Sequence, residues 1–425
     1  MGKSTHFNGQ PLFGQLTKFL NKVKILQLSR QHGGERYIKT FDGWHHLITM
    51  LYAVIMRFDS LREITASMLA EARKLVHLGI QSMLRRSTLA DANARRPEKF
   101  FGAVYMQLYT DYKGLLTTDS RPANEPKWLK RLQIMDSTTV SLFSNLVFKG
   151  VGRNPNTGKK KGGIKVHNVI STTENVASDI QFTSAATHDS FMLVAENFDR
   201  GALLAIDRAY IDYEKFEQLT ERGVVYVTKM KSNLTYEIIS DTMRQDPSGK
   251  MELRIQTVVF RKRKGDKTIE HKARIITYVD QKKTKPKLVN LLTNDFDMEP
   301  EDIIEIYRKR WLIETLFKQI KQNFPLRYFY GESANAIKIQ IWATLIANLL
   351  LTIMQRSLKK SWSFSNLATM VRIMLMYYVD FFSFFEHPEK DWQEILIKAT
   401  VEPPEPSLFD GGACKSESHA DNGQG

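Results

Sequence analysis

Residues 41–69, FDGWHHLITMLYAVIMRFDSLREITASML, repeat apolar side chains at the three- and four-residue intervals of a helix. RRSTLADANARRPEKFFGAVYMQLY keeps that period, and Thr88 with Asp91 three residues on resembles a capping box. Residues 1–115 are therefore expected to form a helical domain. Arg85, Arg86, Arg95 and Arg96 cluster at the expected helix start, either as basic ends of a solvated helix or as phosphate contacts of a DNA-binding unit. From about residue 130 the period drops to two. RLQIMDSTTVSLF, IKVHNVIST and ASDIQFTSA read as strands, and HDSFMLVAENFDR as a helix. GALLAIDRAY is the short apolar run of a buried central strand ending at an acid. IDYEKFEQLTERG is a helix closed by Gly223, and VVYVTKM is a further strand. The expected order is β-β-β-α-β-α-β, an α/β core whose first part spans 125–231.

Residues 232–298 are β-prone again, with MELRIQTVVFRKRKGDKTIEHKARIITYVD and KPKLVNLLTND separated by basic turns. This stretch reads as an insertion into the core. A helix opening at Pro300 occupies 299–332, and further helices fill 333–400. Residues 401–425, polar and rich in Pro, Gly and Ser, are expected to be disordered. The most apolar stretch, IQIWATLIANLLLTIM at 339–354, is short for a bilayer and carries Gln340 and Asn348. It is expected to be a buried core helix, with no membrane association.

Charge adds a partner class. Sixty-one Lys and Arg against 46 Asp and Glu leave a net +15, which points to a polyanion, with nucleic acid ahead of a membrane surface. The single cysteine, Cys414, excludes an internal disulfide and a cysteine-based zinc site and suits a reducing cytoplasm. The N-terminal MGKSTHFNGQPLFGQL lacks the apolar core of a signal peptide, so a cytoplasmic location is expected. The ten histidines show no metal-ligand spacing; His45, His46, Trp44 and Trp342 are expected in the core.

Two acids stand out by context. Asp136 follows LQIM and Asp207 follows LLAI, each placing a carboxylate where a strand otherwise demands burial. Either alone is equally readable as a turn or cap acid. Asp189 and Asp212 compete for the second position, but only Asp207 ends an apolar strand. The third acid lies in YRKRWLIETLFKQIK. At about 100° per residue, Tyr307, Arg310, Glu314 and Lys321 share one stripe flanked by Lys318 and Trp311. Ile306, Leu312, Ile313, Leu316, Phe317 and Ile320 form a separate apolar arc. Pairing of Glu314 with Arg310 and Lys318 explains the charges, but not the alignment of Tyr307 and Lys321. Three carboxylates from two strands and a helix suit Mg²⁺. Two such ions about 3.5–4 Å apart activate the attacking oxygen and stabilise the leaving one in phosphodiester displacement.

With these residues the chain resembles the RNase H-like polynucleotidyl transferases. Tyr307-x2-Arg310-x3-Glu314-x6-Lys321 is similar to the Y-x2-R-x3-E-x6-K signature of DDE transposases of the IS-four family of bacterial insertion sequences. DSTTVSLF, GGIKVH, ATHDS and DRAYIDY are also similar to that family's strand surroundings, and the likeness runs from about 35 to 380. Ala209 departs from the glycine common there. The resemblance implies an RNase H-like core with a β-rich insertion, a preceding helical DNA-binding domain, and Asp136, Asp207 and Glu314 as metal ligands and catalytic residues. It implies two Mg²⁺ or Mn²⁺ ions, and DNA contacts from Tyr307, Arg310 and Lys321, with Lys318 and Trp311 beside them. It further implies cleavage at element ends, transfer of the 3′-OH to target DNA, and a homodimer joining terminal inverted repeats and target at a bacterial nucleoid. Two other readings remain: a metal-dependent nuclease without strand transfer, and an inert DNA-binding protein of the same fold.

Overall fold

The computed structural model describes residues 9–117, 125–141, 163–249, 251–280, 286–324, 326–389, 392–393 and 396. The basic stretches KGVGRNPNTGKKKG at 149–162 and QKKTK at 281–285, Cys414 and the 401–425 tail lie outside them.

The first part is helical, as its period requires: α1 (Leu12–Thr17), α2 (Lys22–Gln31), α3 (Gly43–Met56), α4 (Leu61–Ala70), α5 (Ala72–Leu75), α6 (Arg86–Arg95) and α7 (Glu98–Leu116). α3 starts where Asp42 accepts a hydrogen bond from the His45 N–H, and stops at Arg57, whose backbone is left-handed (φ 61°). The expected capping box at Thr88 does not form. α6 begins two residues earlier, at Arg86, with no side-chain cap, so Thr88 lies inside the helix.

The strands are β1 (Leu132–Ser141), β2 (Gly163–Ser171), β3 (Ala177–Ser184), β4 (Leu203–Ile206), β5 (Val225–Lys229), β6 (Glu237–Gln245), β7 (Glu252–Lys264), β8 (Lys267–Asp280) and β9 (Lys287–Thr293). Among the described residues they form one sheet in the order β3-β2-β1-β4-β5-β9-β8-β7-β6. β1 to β3 are antiparallel, while β1, β4 and β5 run parallel. The strands of 232–298 therefore extend the sheet through the antiparallel β5–β9 pair. Between β4 and β5 lies α8 (Tyr213–Arg222), capped by Asp212 and closed by Gly223 at φ 76°. The helix expected at 188–200 is absent; two short 3-10 turns, Asp189–Met192 and Ala195–Asn197, take its place. Leu193, Ala195 and Phe198 are all buried there, at intervals of two and three that one helical face does not supply.

The sheet separates two cores. Ile134, Leu203, Ala205 and Val227 face the larger one, and Met135, Leu204, Ile206 and Tyr226 the smaller one beneath α8. Both faces of β4 are buried, which is why Leu-Leu-Ala-Ile runs without alternation. The remaining helices are α9 (Pro300–Lys309), α10 (Trp311–Asn323), α11 (Ala334–Ser357), α12 (Phe364–Met374) and α13 (Phe381–Glu386). α11 is long and apolar enough to cross a membrane, but its most apolar 18 residues are 94% buried within the protein. It packs against α3, α6 and α7 from the first part of the chain and against α10 and α12. Arg57, just past α3, donates to the carbonyls of Asn323 (2.8 Å) and Gln322 (3.1 Å), tying the end of α10 to the N-terminal helices.

Gly102 of α7 lies tightly against α11, where a β-carbon would come within 2.9 Å of the Trp342 ring. Gly102→Val is expected to destabilise the fold by about 2 kcal/mol through overpacking. Urea unfolding measures this; a change within about 0.5 kcal/mol, ordinary for a surface site, would refute that packing.

Candidate active site

The last paired residues of the parallel β1–β4 ladder are Met135 and Ile206. Asp136 and Asp207 follow directly, so they stand on neighbouring strands where the two chains part. Strand alternation puts both on the face of the larger core, toward α10. Asp207 sits one residue past β4 and caps a 3-10 turn, accepting from the Ala209 N–H at 2.9 Å. Alanine at 209 leaves that cap intact. Asp136 accepts from the Ser137 N–H at 2.7 Å.

The helix expected to carry the third acid is broken. α9 ends at Lys309 and α10 begins at Trp311, with Arg310 at the joint. There the Arg310 N–H bonds to Tyr307 O and the Ile313 N–H to Arg310 O, the three-residue spacing of a tightened turn. Each segment buries its own apolar face: Ile303, Ile304 and Ile306 from α9, then Ile313, Leu316 and Phe317 from α10. Glu314 falls in the first turn of α10, where a carboxylate suits the helix dipole.

Asp136, Asp207, Arg310, Glu314, Lys318 and Lys321 line one cleft of about 520 Å³, together with Ser137, Thr138, Phe317 and Gln322. Sequence reasoning missed these last four; Ser137 and Thr138 adjoin a suspected acid, which was the available signal. Lys318 and Lys321 are exposed. Tyr307 lies outside the lining, half-buried, with the Arg310 guanidinium 5.8 Å from its ring centre. Trp311, 66% exposed, also lies outside the lining. Of the competing acids, Asp212 is the cap of α8, whereas Asp189 receives a hydrogen bond from Ser137.

Arg310 bridges two of the acids. One guanidinium nitrogen lies 3.2 Å from Asp136 Oδ2 and the other donates to Glu314. Burial pushes the Asp136 carboxyl up to about 6; the Ser137 N–H and Arg310 oppose the rise, and Asp207 and Glu314 add to it. Among the described residues no three His, Cys, Asp or Glu are gathered closely enough to hold a metal ion. The donors nevertheless fit a hard divalent cation. They are carboxylates in an open cleft, and two of them already share a positive group, Arg310.

The family described as Transposase DDE domain matches residues 127–350, more than half of the 425-residue chain. The chain belongs to the DDE transposase family. Its N-terminal residues 8–81 match a family described only as a domain of unknown function. A Sinorhizobium fredii protein named as a transposase, y4zB, is 29% identical over 63% of this chain and 71% of its own length. A protein named as a transposase for insertion sequence element IS5377 of Geobacillus stearothermophilus is 26% identical, over 54% of this chain and 58% of its own. Another, named for element IS4SA of Synechocystis, is 26% identical over 52% and 59%. The chain thus spans little more than half of those last two relatives. The family acts in general through polynucleotidyl transfer or nuclease chemistry and generally uses divalent metal ions, and two of the relatives are named for insertion sequence elements.

The raised carboxyl gives a pH test. An acid whose folded pKa exceeds its unfolded value costs no stability below the unfolded value; the cost grows as pH rises and is complete above the folded one. For Asp136 that window runs from 3.8 to about 6. Asp136→Asn keeps an acceptor for Ser137 and Arg310, so it is expected to stabilise the metal-free fold by about 1–3 kcal/mol at pH 7.5. The gain should vanish near pH 4. Urea unfolding at both pH values checks this, and equal effects at the two would contradict the buried-charge account.

Proposed function

We propose that this DDE transposase cuts DNA at the ends of its insertion sequence and joins the freed 3′-OH to target DNA, with Asp136, Asp207 and Glu314 as metal ligands. The supporting observation is that the β1–β4 register brings Asp136 and Asp207 side by side in the cleft that Glu314 enters from α10. The order β3-β2-β1-β4-β5, with three antiparallel strands and two parallel ones, supports an RNase H-like core. The Tyr307, Arg310, Glu314 and Lys321 spacing supports placement in the IS-four family. Residues 1–115 would be the DNA-binding domain, and a homodimer would hold two inverted-repeat ends with the target at the nucleoid.

In this reading Asp136, Asp207 and Glu314 hold two Mg²⁺ ions, or Mn²⁺ in their place. When bound, the ions supply Lewis-acid activation of the attacking oxygen and charge stabilisation of the leaving one. The chain's own residues do the rest. Asp136 and Asp207 stay fixed through their bonds to the Ser137 and Ala209 N–H groups. Arg310 releases the two carboxylates and turns to phosphate, its planar donors suiting both partners. Tyr307 supports that guanidinium from the side. Lys318 and Lys321, already exposed on the cleft, hold the DNA backbone, and Trp311 extends the contact surface outside it.

Pre-cut element ends incubated with Mg²⁺ and target DNA are expected to yield strand-joined products; cleavage without joining would favour a nuclease. Glu314→Gln should abolish cleavage and joining while end binding stays within about twofold, because phosphate contacts dominate affinity. A Glu314→Gln protein that still cuts removes that residue from the site. Lys321→Ala is expected to weaken binding across sequences and to lower the salt slope by about 1. An unchanged slope in a salt titration would remove Lys321 from the phosphate contacts.

A further inference from the structure

The ladder between β1 and β4 ends one residue before the two acids. Beyond Met135 and Ile206 no β1–β4 backbone pairing keeps Asp136 and Asp207 in step. Yet a metal site tolerates little error in its ligand spacing. Something else has to hold the parted chains, and the reverse face of the sheet carries a polar cluster placed to do so.

Ser137 follows Asp136 and points to the opposite face, where its hydroxyl donates to Asp189 Oδ1 at 2.8 Å. Asp189 belongs to the 3-10 turn after β3 and is held by Lys165 of β2, whose ammonium lies 3.2 Å from the same oxygen and also donates to Thr187 O at 2.8 Å. His167, paired with Ser137 across the β1–β2 ladder, brings Nδ1 to 3.7 Å from Asp189 and 3.5 Å from the Tyr210 hydroxyl. Its other nitrogen is 2.7 Å from Thr183 Oγ1. Tyr210 is fully buried and closes the turn that Asp207 caps, donating its N–H to the Asp207 carbonyl at 3.0 Å.

We infer that Asp189 is a positioning residue: from behind the sheet, through Ser137 on one side and through His167 and the Tyr210 hydroxyl on the other, it clamps the end of β1 to the turn after β4 and so sets the spacing of Asp136 and Asp207. This rests on the reading of those two acids as metal ligands. It gives the His-Asp-Ser stretch at 188–190 a local role beyond starting a turn. Partners one layer behind metal ligands fix their orientation, and losing one typically costs about 10–100-fold in metal affinity.

The test measures Mn²⁺ dissociation constants of the full chain by calorimetry, with melting temperatures recorded alongside. Asp189→Ala is expected to weaken Mn²⁺ binding about 10–100-fold. Asp189→Asn, which keeps the acceptor for Ser137, should recover most of that loss. Ser137→Ala acts on the same link, so Ser137→Ala combined with Asp189→Ala should bind no more weakly than Asp189→Ala alone. Asp136→Asn serves as the reference and should abolish binding. If Asp136→Asn abolishes binding while Asp189→Ala leaves the affinity unchanged and only lowers the melting temperature, the clamp is overturned and the metal site stands. Additive losses in the double variant also overturn it. Full-strength binding by Asp136→Asn overturns the clamp together with the reading of the cleft on which it rests.

Discussion

The parting of two parallel strands after Met135 and Ile206 governs the rest of the cleft. Parallel strands open a crevice at their carboxyl ends, because the chains leave the sheet in different directions and their terminal groups lose their partners. Here β1 continues along β2 while β4 turns down into a 3-10 turn. The two residues at the fork are both aspartate. Neighbouring carboxylates beside an apolar sheet repel each other and lose hydration, so they persist only with a positive group between or beside them. Arg310 is that group beside Asp136 in the metal-free chain, and it reaches across from the joint of two helices.

That joint follows from packing. α9 lies on β4, β5 and β9, whereas α10 meets β1, α11 and α12. The break at Arg310 lets each half bury its own aliphatic row and turns the intervening guanidinium to the carboxylates. It also starts a new helix just before Glu314, so a dipole N-terminus meets the third acid. Arg57 fixes the far end of α10 by binding its last carbonyls. The acidic helix is thus held at one end by the cleft and at the other by the N-terminal helices.

Elements with a strong one-dimensional pattern were legible in the sequence. Leu-Leu-Ala-Ile before Asp207 has the unbroken apolar run of a doubly buried strand, and the α3 and α11 stretches carry the apolar residues of core helices. Other features arise from contacts that pattern does not encode. β6 is exposed along its whole length, so no alternation marks it; it is a strand because β7 pairs with it. The 188–200 segment looked helical by composition, but its buried side chains fill the space over α8 at irregular intervals. The stripe on the acidic helix was visible at 3.6-residue spacing. The break at Arg310 was not, since neither glycine nor an internal proline announces it. Asp189, Lys165 and His167 are far apart in the chain, and only strand register brings them behind Ser137.

α11 shows how closely the two parts of the chain are joined. Its surface is shared between the N-terminal helices and the helices beside the sheet, so one apolar rod joins them in the larger core. Products of an internal stop or frameshift before residue 334 would lack that rod and expose the apolar faces of α3 and α7. Such fragments are substrates for proteolysis and aggregation. An interrupted gene would therefore leave no folded N-terminal fragment, and the N-terminal helices could not be exchanged between relatives without a matching α11.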